Sequence, residues 1–139
     1  VTATRHYPSD VLAAVVAKFR GEASLSGIAG PFLDVKPADV ATIPYAIVAV
    51  QDNFDDGWTC ESRRWSTTLG FEFWNRSPEV ARASCDLFLA VFGPESLSLT
   101  IAGGTLWEHR LSSAGVRVSE VGSLGVATVS LRFRTVHDR

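Results

Sequence analysis

The spacing of apolar positions sets two helical stretches among several strands. In "SDVLAAVVAKFR", residues 9–20, Val11, Leu12, Val15, Val16 and Phe19 recur at intervals that gather them on one helical face. Ser9 offers an N-cap oxygen and Gly21 a stop, while Asp10 in the first turn and Lys18 and Arg20 in the last complement the helix dipole. From Gly21 to Pro44 the chain is broken by Gly27, Gly30, Pro31 and Pro37, which leaves room for a short extended piece around "FLDV". "PYAIVAV" is then an unbroken apolar run, expected to form a strand buried on both faces.

A period of two follows. In "WSTTLGFEFWN", Trp65, Thr67, Leu69, Phe71 and Phe73 share one face and Ser66, Thr68, Gly70 and Glu72 the other, which predicts a long strand with one wet side. The period changes at Ser77, an N-cap followed by Pro78 at the first helical position and by Glu79 near the positive end of the dipole. Val80, Ala81, Ser84, Cys85, Leu87, Phe88, Val91 and Phe92 make a broad inward stripe, Glu79, Arg82 and Asp86 line the opposite side, and Gly93 and Pro94 end the helix. Beyond it, "LSLTIAGGTLWEHRL" reads as strand, Gly-Gly turn and strand, and "GVRVSEVGSLGVATVSLRFRTV" as a hairpin turning near Gly122 to Gly125. In the last strand Ala127, Val129, Leu131 and Phe133 point one way, and Thr128, Ser130, Arg132 and Arg134 the other. The expected fold is α+β, a mainly antiparallel sheet with two helices packed on one face, and 139 residues suit a single domain over 1–139.

One stretch does not follow either period. "QDNFDDGWTCESRR", residues 51–64, is acidic at first and basic at its end, with the turn signal Asp56-Gly57, and is either a long loop or the flared tip of a hairpin. Its Phe54, Trp58, Arg63 and Arg64 are the candidate protein–protein interface, because tryptophan and arginine combine contact area with directional donors. A loop tryptophan at 58 leaves apolar area in water unless a partner covers it. Trp65 fits either the core or this surface.

Composition narrows the function. A hydrophobic fraction of 46% and a charged fraction of 20% are those of a globular domain. No apolar run approaches the ~20 residues of a membrane helix, and "VTATRHYPSD" has no segment of signal-peptide length, so a soluble chain made in the cytoplasm is expected. A net charge of -2 argues against holding nucleic acid by bulk electrostatics. Cys60 and Cys85 are too few for a disulfide framework and are read as free thiols. His6, His109 and His137 have no metal-ligand spacing and are read as solvent-facing. "DNFDDG" matches a calcium loop at Asp52, Asp56 and Gly57 but fails where oxygen ligands are required, at Phe54 and Arg63. Cys60 lacks any local catalytic signature, and the glycines of "AGGT" fit a turn rather than a phosphate cradle. No catalytic, cofactor-binding or metal-binding residue is expected.

Taken in order, "VLAAVVAKF", "IPYAIVAV" after a Gly/Pro-rich stretch, the "FEFWNRSPEVARASCDLFLAVF" handover and the closing "VATVSLRFRTV" span nearly the whole chain. In that order and spacing the sequence resembles the tail terminator, or tail-completion, proteins of long-tailed bacteriophages and their prophage and gene-transfer-agent relatives. The resemblance implies a homohexameric ring without enzymatic activity or cofactor, made in the bacterial cytoplasm and located at the tail–neck junction of the virion. It implies as partners other copies of the chain, the tail tube protein and the head-completion or connector protein, with DNA only passing through the ring and no membrane. Two rivals stand beside it: a head-to-tail adaptor of the same neck, and a small-molecule-binding or catalytic α+β domain, which requires a closed pocket with converging polar groups.

Overall fold

Five strands form one sheet in the order β1-β2-β3-β5-β4, with β1 (Ala29–Leu33), β2 (Tyr45–Trp58), β3 (Ser62–Asn75), β4 (Gly104–Val118) and β5 (Gly125–Asp138). The computed structural model describes residues 7–34, 43–58, 62–118 and 124–138, without the side chains of 7, 8, 56, 58, 62, 116–118 and 138. Every neighbouring pair is antiparallel except β1 with β2. Helices α1 (Tyr7–Gly21) and α2 (Pro78–Phe92) both pack on the same face, so the fold is α+β as its periodicities require.

The core lies between that face and the helices. Val11, Val15 and Phe19 of α1 and Ala81, Cys85, Phe88 and Phe92 of α2 meet Ala46 and Val48, Leu69, Phe71 and Phe73, and Ala127, Val129, Leu131 and Phe133. Phe88 sits at the middle of it, its ring centroid 4.4 Å from that of Phe71, 5.1 Å from Phe73 and 4.6 Å from Phe92. Tilted and stacked aromatic contacts of this kind add to the area that each ring buries.

Several local expectations are corrected. α1 begins two residues before Ser9, with Pro8 in the first turn where proline is tolerated, so Ser9 lies inside the helix rather than at its cap. Ser77 does cap α2, its hydroxyl accepting from Val80 N at 3.5 Å. The buried stripe of α2 is narrower than its apolar content: Val80 and Leu87 are exposed, because one helix on a sheet buries only the face turned to it. β2 is not buried on both faces; Ala46 and Val48 enter the core, whereas Ile47 and Ala49 are half-buried on a face that no helix covers. The short extended piece is Ala29–Leu33, slightly earlier than "FLDV", and Pro31 is accommodated because β1 is an edge strand. Residues 97–100 are not a strand, and "GTLWEHRL" runs on with "GVRV" as the single strand β4, interrupted by irregularities at Trp107 and Ser112.

Candidate assembly surface at the overhanging end of the sheet

Strands β2 to β5 have 14 or 15 residues each and both helices have 15. At ~3.3 Å per residue the strands reach ~46–50 Å, whereas a helix of that length reaches only ~22 Å. The sheet therefore overhangs the helices, at the end where the hydrophobic core shared with them stops, at Leu69 in β3 and Phe133 in β5. That overhang is built from the end of β2, the start of β3, the end of β5 and the start of β4. Residues 51–58 and 62–64 belong to it as paired strands rather than a loop, since β2 and β3 stay paired out to Trp58 and Arg63, and residues 59–61 of that stretch lie outside the described residues.

On the helix side the overhang is closed by the connection after α2, whose Leu97 and Leu99 pack on the core and whose Ile101 is buried. Here His137 is fully buried with its Nε2 2.7 Å from Thr135 Oγ1, which corrects the expectation of a solvent-facing histidine. His109 is half-buried, its ring stacked near Phe133 at 6.3 Å. Both histidines sit at positions that the strand period turns inward, and a side chain there is buried whatever its polarity. His6 and Cys60 lie outside the described residues.

The opposite face carries a cluster of arginines laid on aromatic rings. Arg132 lies over Phe54 with its guanidinium carbon 5.5 Å from the ring centroid, and its Nε donates to the buried Ser66 Oγ at 3.0 Å. Arg134 lies 4.3 Å from the Trp107 ring centroid and donates to Glu108 Oε2 at 3.2 Å, while Arg64 reaches the same ring at 5.6 Å. The alternation of β3 and β5 puts Arg64, Ser66, Arg132 and Arg134 on this face, and the register sets Phe54 opposite Ser66 and Glu108 opposite Arg134. Phe54 and Trp107 are 40% and 43% exposed, so the rings are braced by arginine yet still offered to solvent.

Of the four residues singled out in the sequence, Phe54 and Arg64 therefore share one surface. Arg63 lies on the other face, its Nε 3.6 Å from Asp55 Oδ2, and the side chain of Trp58 lies outside the described residues. Trp107, Glu108, Arg132 and Arg134 were not singled out. The signal for the two arginines is their outward register in β5, but Trp107 is brought in from a strand far along the chain. Trp65 is half-buried on the helix side and does not join the cluster.

Further along the uncovered face the chemistry changes. Gln51 is the extra residue of a β2 bulge, and its amide lies across Gly70, where any Cβ would collide with it, so that Oε1 accepts from Ser130 Oγ at 2.6 Å. Beyond it Tyr45 and Trp74 stack at 6.0 Å, and Trp74 Nε1 donates to Glu72 Oε1 at 3.0 Å. Burial, and next the charge of Glu72, push the Tyr45 hydroxyl above its usual range. The face is thus arginine-rich at the overhang and acidic near Glu72 and Asp34.

Among the described residues no three histidine, cysteine or acidic side chains converge as a metal site. No helix among them is long and apolar enough to cross a membrane. What the arginine–aromatic cluster supplies chemically is a contact surface, with large rings for area and guanidinium edges for directed hydrogen bonds.

No protein-family model matches the sequence, and no curated protein matches it. The fold does match. A chain from a solved structure described as the virion of a native gene transfer agent (GTA) particle superposes with a TM-score of 0.71 at 14% sequence identity, over 98% of this chain and 100% of that one. At that identity the likeness is one of fold.

Proposed function

We propose that this protein is a structural part of a tailed phage-like particle, a tail terminator that closes into a homo-oligomeric ring of six, ends growth of the tail tube and receives the head-completion protein. The observation that carries the reading is the end-to-end match of fold to a chain of a gene transfer agent particle, with neither chain leaving a substantial part unmatched. The order of elements in the sequence supports the same reading independently. The arginine–aromatic overhang is suited to hold a neighbouring particle protein, since its composition is that of interface hot spots and its charge differs from the acidic end of the same face. In this reading the protein performs no reaction and works by shape and contact.

Deleting the gene from a genome that produces particles, followed by electron microscopy, tests the assignment. Tubes of uncontrolled length, rescued by the protein supplied in trans, are the expected result. Tails of normal length that fail to join heads would overturn the terminator role in favour of a head-to-tail adaptor, and normal particles would remove the protein from assembly.

A further inference from the structure

Two apolar surfaces on the helices are alike in length and opposite in shape. One is a groove of about 490 Å³ between α1 and the edge strand β1, lined by Leu12, Val16, Pro31 and Leu33, the last 56% exposed. Its polar lining residues, Ser9 and Arg20, are 11 positions apart on the helix, so it runs for ~16 Å. The other is a ridge on α2, where Val80, Ala83, Leu87 and Ala90 are all exposed at intervals of three and four. Val80 and Leu87 are 41% and 46% exposed, and the ridge is ~15 Å long.

We propose that the α2 ridge of one copy seats in the α1–β1 groove of the next. Charge selects both the occupant and its direction. Arg20, in the last turn of α1, forms no ion pair among the described residues, and neither does Glu79 beside Val80 in the first turn of α2. Bringing Arg20 to Glu79 pairs two charges that have no partner among the described residues of one copy, sets the helices antiparallel so that their dipoles oppose, and runs the ridge along the whole groove. The alanines at 83 and 90 keep the ridge low enough for α2 to approach closely. A small ligand is a poorer occupant, because the groove is open and its polar groups do not converge.

The contact is heterologous: each copy uses its groove on one neighbour and its ridge on the other, the arrangement that generates a ring when the rotation closes. It rests on the ring reading above and gives that ring its interface.

Cross-linking tests it, using Leu33→Cys and Leu87→Cys chains in a Cys60→Ser background with a short bis-maleimide. A mixture of the two gives a cross-linked dimer, and neither chain alone does. Leu87→Arg weakens self-association by about 30-fold or more, as loss of a hot spot does. Arg20→Glu and Glu79→Arg each weaken it about fivefold, and the two changes in one chain restore it. Thermal melting of each variant checks its fold, and the cysteine mixture remains decisive if Leu87→Arg does not fold. A wild-type oligomer whose mixture gives no cross-link, or which Leu87→Arg leaves intact, overturns this contact and leaves the ring standing. A wild-type chain that is monomeric at every concentration, or that a small ligand in the groove stabilises as a monomer, overturns it as well.

Discussion

Phe88 is the residue on which the most of the structure converges, since Phe19, Phe71, Phe73 and Phe92 all pack around its ring. Phe88→Ala would open a cavity under the middle of the sheet, and denaturant unfolding should show a loss of about 3–5 kcal/mol. Cys85, one turn earlier, is a buried free thiol that burial, and then the charge of Asp86, push up to about 11 from 9.0. The unfolded chain releases this proton first, so its contribution is intact below pH 9 and is lost as pH rises through about 11. Unfolding of wild type and Cys85→Ala across pH 8 to 11 should therefore show the wild-type advantage shrinking with rising pH; a constant difference would contradict the burial argument. At this scale the sequence was legible where side-chain type and strand period agree, as at Phe71 and Phe73. It misled where they conflict: His137 is polar by type and inward by position, and position decided.

Elements were legible in proportion to how local their causes are. The start of α2 is written in Ser77-Pro78-Glu79 and forms there; Ser77→Ala should cost about 1 kcal/mol in a thermal or denaturant melt, the usual value of an N-cap oxygen. The hairpin tip was harder, because Asp52, Asp55 and Asp56 suppress any apolar alternation while the backbone pairing continues beneath them. Half of the candidate surface was hidden for another reason. Phe54 and Arg64 are near neighbours in sequence, but Trp107 and Arg134 reach them only through the β3–β5 and β5–β4 pairings, which no local pattern specifies. The combined Phe54→Ala, Arg64→Ala, Trp107→Ala variant should melt as wild type does, since Phe54 and Trp107 are partly exposed and no core residue is touched, yet fail to complete tails in particle-producing cells. A folding defect would instead make the cluster a structural brace of the overhang.

For the whole molecule, the α+β class follows from two helical periods set among strands, and both helices lie on one side because the apolar residues of β2, β3 and β5 all face that way. The parallel pairing of β1 with β2 was not legible: it depends on where a Gly/Pro-broken segment is carried, not on its composition. Function lies further still from the sequence pattern, because the ring part proposed for this chain needs no catalytic spacing and its surfaces would have meaning only against their partners. Whether copies of this chain close into a ring is read from the mass of the purified protein in solution, measured by light scattering over a wide concentration range. A ring gives a discrete species of about six 15.0 kDa chains. A strictly monomeric 15.0 kDa species at every concentration would rule the ring out.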